Sequence, residues 1–167
     1  MEPSQKQKVW HLPAALNLTL GGMGAGFYLV TLLLILPESR GWAQSLMQAA
    51  VFKLLGPLLV IVGLLSLTTE AGQPVHSIYL LTNLRRSWMS RETLAAGIFI
   101  IAAVLDWLIP NPVLRSVASL AGFVFIIAQG MIVSRASSVI TWNVQTVPFF
   151  FLTCGLATGS GLMFIVR

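Results

Sequence analysis

Five apolar stretches, each long enough to cross a lipid bilayer as a helix, decide what this chain can fold into. They cover residues 13–36, 45–67, 93–109, 113–133 and 146–166. A helix of about 20 residues spans the hydrocarbon, and it satisfies its own backbone hydrogen bonds where no water is available. The expected fold is therefore an all-α integral membrane protein, a bundle of about five transmembrane helices forming a single membrane domain over residues 1–167. Composition agrees. Only 9% of residues are charged, against about 25% in soluble domains.

The formal net charge is +5, yet no basic stripe is interleaved with exposed aromatics, so nucleic acid is not the expected partner. The excess lies in the connections, where basic residues orient helices and meet anionic membrane lipids. Lys6 and Lys8 precede the first apolar run as they would in a signal peptide. That run is about twice the usual apolar core of about 7–15 residues, so it reads as a helix that stays. Five spans place the termini on opposite sides. Lys6, Lys8, Arg85, Arg86, Arg91 and Arg135 then share one side, and Arg40, Arg115 and Arg167 the other. The positive-inside rule puts the N-terminus and the central loop in the cytoplasm, with the chain in the inner (cytoplasmic) membrane.

That central loop, residues 68–92, is the longest polar interruption. It holds two of the five acidic residues, three of the seven arginines and one of the two histidines. Polar groups concentrated at a membrane face mark the place to look for function. His11, Asn17, Glu70, His76, Tyr79, Arg85, Arg86, Glu92, Trp142 and Asn143 all map to this face. A pocket between helix ends, apolar inside with acid–base groups at its mouth, suits a lipid-soluble amphipathic ligand such as a quinol. Oxidising a quinol releases two protons, so its hydroxyls need acceptors such as a carboxylate or an imidazole. Haem would want facing histidines inside the bilayer, whereas His11 and His76 both lie at helix ends. With Cys154 the single cysteine, a self-contained iron–sulfur site is excluded. The expected cofactor is a quinone, menaquinone or ubiquinone, with no haem, cluster or metal in this chain. Electrons would pass directly to or from a partner's cofactor.

Each polar residue has a structural reading beside the functional one. Glu70 and Glu92 are interfacial carboxylates capping helices, Glu92 in the first turn of the third span, or they belong to the pocket with His76. Asn17 makes a helix–helix hydrogen bond or contacts a quinone carbonyl. Arg85 and Arg86 orient the chain or meet an acidic partner. Trp88, Trp142 and Tyr79 are interfacial aromatics or stack beside a quinone ring. Lys53 snorkels to the opposite face, or with Asp106 forms a proton route; Asp106 alone reads as a solvated helix end. Gly22 and Gly26 form a GxxxG motif, and Gly155, Gly159 and Gly161 a second small-residue face, both suited to close helix packing. Cys154 reads as a core residue.

Three motifs carry a resemblance: LNLTLGGMGAG at 16–26, EAGQP with SWMSRE at 70–74 and 87–92, and TWNVQTVPFFFLTCGLATGSG at 141–161. In this order they resemble the polysulfide reductase/NrfD and DMSO reductase membrane-anchor superfamily. The resemblance implies a quinone-reactive membrane anchor docking an iron–sulfur subunit, which wires it to a catalytic subunit, often of the molybdopterin type. A histidine opens the motif corresponding to 70–74 in the DMSO-reductase-type anchors; here Glu70 stands there, and His76 occupies an arginine position. Glu92 is retained. Such anchors usually have eight or more helices, so this chain resembles their N-terminal half, implying a short form, a missing second half or a second copy. The residues expected to bind quinone and handle protons are Glu70, His76, Glu92, Asn17, Arg86 and Trp142. Alone, the chain would have no activity on the complex's other substrate. Two other classes compete: a purely structural anchor without a quinone site, and a small transporter subunit.

Overall fold

The computed structural model describes residues 12–35, 50–68, 84, 87–136 and 144–166. They form five helices: α1 Leu12–Ile35, α2 Ala50–Thr68, α3 Trp88–Leu108, α4 Pro112–Ser134 and α5 Val147–Val166. Among the described residues four helices, α1, α3, α4 and α5, are long and apolar enough to cross a membrane, while the apolar stretch Lys53–Thr68 of α2 is shorter. Helix α1 packs on α2, α5 and α4; α3 packs on α2 and α4; and α4 packs on α5. The chain thus closes into a ring of neighbours with α1 drawn inward against α4.

The third helix starts earlier than its apolar run. Ser87 is extended and its Oγ accepts from the Ser90 amide at 3.3 Å, capping a helix whose first residue is Trp88. Ser90, Arg91 and Glu92 of SWMSRE read as loop by hydropathy, but they occupy the first turns of α3. Glu92 therefore stands one turn inside the helix, and the capping role belongs to Ser87. At the other end Ile109 closes α3 through its amide to the Leu105 carbonyl at 2.7 Å. Asn111 Oδ1 then accepts from the Val113 amide at 2.8 Å, and Pro112 sits where helices tolerate proline. The break expected at 110–112 is present.

The apolar centre is built from small residues around large rings. Ala95, Ala96, Ala102 and Ala103 of α3 with Ala118 and Ala121 of α4 surround Phe99, Phe125 and Ile126. Tyr28 meets Phe99 edge-on, ring centroids 5.3 Å apart, an arrangement aromatic rings favour. Lipid gives helices no solvophobic push toward each other, so close backbone approach matters. A Cβ on Gly24 would lie 2.6 Å from the Gly56 carbonyl of α2, and one on Gly56 would lie 2.8 Å from the Gly24 carbonyl. Likewise a Cβ on Gly26 would collide with the Gly155 backbone, and one on Gly159 with the backbone of Gly26 and Phe27. The two small-residue faces therefore pair, α1 on α5. Gly161 is not part of that face, since no atom of the described residues lies within 4 Å of its Cβ position. Cys154 is not in the core either but exposed. It precedes Gly155, which faces α1, and one residue turns a helix by about 100°.

Candidate functional site

Two polar clusters lie inside the bundle, at opposite ends. The first joins α1, α3 and α4. Asn17 Nδ2 donates to Glu92 Oε1 at 3.0 Å. Gln129 Nε2 donates to the same oxygen at 3.3 Å and to the Asn17 carbonyl at 3.2 Å. The three side chains are 3%, 5% and 0% exposed, so this is a buried carboxylate held by two neutral amides. No cation pairs with Glu92 among the described residues. Asn17 lies five residues from the start of α1, Glu92 four from the start of α3 and Gln129 five from the end of α4. All three stand about 6–8 Å inside one end of the bundle.

Because both amide nitrogens turn to Glu92, both amide oxygens turn away from it. Asn17 Oδ1 and Gln129 Oε1 are buried and have no hydrogen-bond partner among the described residues. Asn17 Oδ1 faces Gly63 of α2, and Gln129 Oε1 stands 3.6 Å from the Cβ position of Gly22. A buried acceptor without a donor costs about 1–3 kcal/mol. Two such oxygens flanking a carboxylate can accept from O–H groups, those of water or of a ligand alike. An apolar groove of about 420 Å³ runs between α1 and α5, lined by Leu18, Gly22, Met23, Phe151 and Cys154 among others. Gly22 forms its wall on the side of Gln129.

The second cluster joins α2, α3 and α4. Asp106 is 1% exposed and is not a solvated helix end. Arg115 Nε lies 3.3 Å from its Oδ2 and Lys53 Nζ 3.8 Å from the same oxygen. The Asn111 amide donates to Oδ1 at 3.1 Å, and Lys53 Nζ to the Asp106 carbonyl at 3.3 Å. Lys53 thus turns inward instead of snorkelling, because a buried carboxylate with open acceptor sites lies across from it on α3. Fourteen residues, about 21 Å of helix, separate Glu92 from Asp106. Between them the centre is apolar, with Tyr28 carrying the one titratable group there among the described residues. Its hydroxyl has no hydrogen-bond partner among the described residues.

Of the residues singled out in the sequence, Asn17 and Glu92 meet in the first cluster, and Lys53 and Asp106 in the second. Glu70, His76, Arg86 and Trp142 lie outside the described residues, as do His11, Tyr79, Arg85 and Asn143. Gln129 was missed. It is a lone amide inside the apolar run of α4, and its signal is depth: Asn17 needs a polar partner within the bilayer, and Gln129 lies at the matching level.

The fold and its clusters define a multi-pass helical membrane protein with an acid–amide site buried at one end of its bundle. The family model of the DMSO reductase anchor subunit (DmsC) matches residues 7–167, and the chain belongs to that family. No curated protein and no solved structure matches it significantly. Of the two anchor groups that the motifs resemble, the match names the DMSO reductase one.

Proposed function

We propose that this chain is the quinol-reactive membrane anchor of an oxidoreductase complex, with the quinol headgroup held at Asn17, Glu92 and Gln129. The observation that carries the reading is the pair of partnerless amide oxygens beside a buried carboxylate. A quinone supplies a two-electron, two-proton couple. What the chain supplies is acceptors for the O–H groups: Asn17 Oδ1 and Gln129 Oε1 orient, and Glu92 takes a proton. The two amides hold Glu92 Oε1 in place, leaving its second oxygen for that exchange. The groove between α1 and α5 is the approach from lipid, with its apolar lining suited to an isoprenoid tail. From the sequence, Glu70 and His76 are assigned to the second proton of the couple, and Arg86 and Trp142 to further contacts with the quinol.

Electrons pass between the quinone and an iron–sulfur partner subunit docked on that face, and from there to or from a catalytic subunit of the molybdopterin type. The family's printed name, an anchor subunit of DMSO reductase, supports that assembly. The chain sits in the inner (cytoplasmic) membrane with this face toward the cytoplasm, as its basic residues favour. Lys53 and Asp106, at the far end, bind α2, α3 and α4 together, and between them and Glu92 Tyr28 is the one titratable group among the described residues that a proton route could use.

The test is turnover of the purified complex with a soluble quinol analogue, wild type against Glu92→Gln, alongside turnover with reduced viologen, which bypasses the anchor. The isosteric amide can still accept from Asn17 and Gln129, so assembly and viologen activity should persist while quinol turnover falls about 100-fold. Unchanged quinol turnover would remove Glu92 from the mechanism.

A further inference from the structure

A second apolar groove opens between α3 and α4, away from the acid–amide cluster. Its volume is about 490 Å³, and Leu94 and Ile98 of α3 with Val117, Leu120 and Val124 of α4 form its floor and rims. These five side chains are exposed, as expected for a surface in contact with acyl chains. The groove follows α3 for ten residues from Trp88, about 15 Å. Unlike the groove between α1 and α5, it ends in charge.

At that end Trp88 and Arg91 line the groove. The Arg91 guanidinium lies 4.3 Å from the centre of the Trp88 ring and that of Arg135 lies 5.5 Å from it. Arg91 is braced by its Nε, which donates to the Leu84 carbonyl at 2.9 Å. Arg135 closes α4 by its backbone, and the residue is exposed. Two guanidiniums are thus gathered on one indole, at the end of the bundle where α3 begins and α4 stops. In the groove between α1 and α5 the polar lining is Thr19 and Thr158, whose hydroxyls bond carbonyls of their own helices. Of these two grooves, the one between α3 and α4 joins an apolar trough to a cationic head.

We propose that this groove is a binding site for an anionic phospholipid, one acyl chain lying along α3 and α4 and the phosphate meeting the exposed Arg135 beside Trp88, with Arg91 adding to the positive charge of that end. Basic pockets between helices at a membrane face recognise anionic headgroups in this way, and guanidinium forks fit phosphate oxygens. A zwitterionic lipid would fill the same trough but would bring its own cation to the arginines. The site is independent of the quinol reading, because it shares no side chain with the acid–amide cluster.

The experiment reconstitutes the full complex into phosphatidylcholine vesicles and adds phosphatidylglycerol or phosphatidylcholine with brominated acyl chains, which quench tryptophan on contact. Trp88's share is the difference between wild type and Trp88→Phe. The expected result is preferential quenching by the brominated phosphatidylglycerol, with the preference falling about fivefold in Arg135→Gln, as expected for one interfacial charge. Arg135→Lys should keep most of it. Equal quenching by the two lipids in wild type would overturn the proposal, as would full preference in Arg135→Gln. Loss of the partner subunits from Arg135→Gln with lipid preference intact would assign the arginines to a protein contact instead.

Discussion

Replacing Asp106 by asparagine keeps the shape of the side chain and removes the one negative charge that Lys53 and Arg115 share. Oδ1 and Oδ2 between them receive the Asn111 amide, the Arg115 fork and the Lys53 ammonium. After the substitution the amide carbonyl can still serve one or two of these donors, while its NH₂ points at a cation. Breaking a buried ion pair on one side costs about 3–5 kcal/mol. The Arg115 side chain is 25% exposed and can turn to water, so the lower end, about 3 kcal/mol, is expected. Lys53, 9% exposed at its side chain, has less escape. Lys53→Met should therefore recover part of the loss in the Asp106→Asn background, a coupling of about 1 kcal/mol or more. The assay is reversible denaturation of the purified protein in mixed micelles, for the wild type, both single variants and the double variant. Additive losses, or an Asp106→Asn variant as stable as wild type, would refute the claim that this cluster clamps α2, α3 and α4.

Gly24→Ala should destabilise by about 1–3 kcal/mol through overpacking, because its Cβ would lie 2.6 Å from the Gly56 carbonyl where ordinary contact begins at 3.4 Å. Gly161→Ala, with nothing within 4 Å, should be neutral or better in the same denaturation assay. Gln129→Leu should leave Glu92 with a single amide donor and reduce quinol turnover at least tenfold, read against viologen turnover, since a well-placed hydrogen bond to a charged group is worth about 1.5–3 kcal/mol. A quinone analogue should slow alkylation of Cys154, which lines the α1/α5 groove, by a membrane-permeable maleimide; an unchanged rate would place the approach elsewhere.

The helical membrane fold was legible because bilayer-length apolar runs admit few alternatives. Helix ends were less so. The polar first turns of α3 hide its start, which the Ser87 cap reveals only once local geometry is known. Asn17 and Glu92 stood out as polar groups near one face, but their direct hydrogen bond depends on α1 and α3 facing each other across α4's Gln129, an adjacency that periodicity does not encode. Lys53 and Asp106 read as solvent-seeking when considered one at a time. Each is buried because the other is there, together with Arg115 from the next helix. Cys154 and Gly161 show the same limit from the other side: in a helix whose every face is apolar, hydrophobicity alone does not say which face meets protein and which meets lipid.

The most direct test of the quinol site is photoaffinity labelling of the intact complex with an azido-quinone, followed by peptide mapping of this chain. Label is expected on segments bearing Asn17, Glu92 and Gln129, with loss of that label when unmodified quinone is added in excess. Labelling confined to the far end, around Lys53, Asp106 and Arg115, or label that excess quinone does not displace, would contradict it.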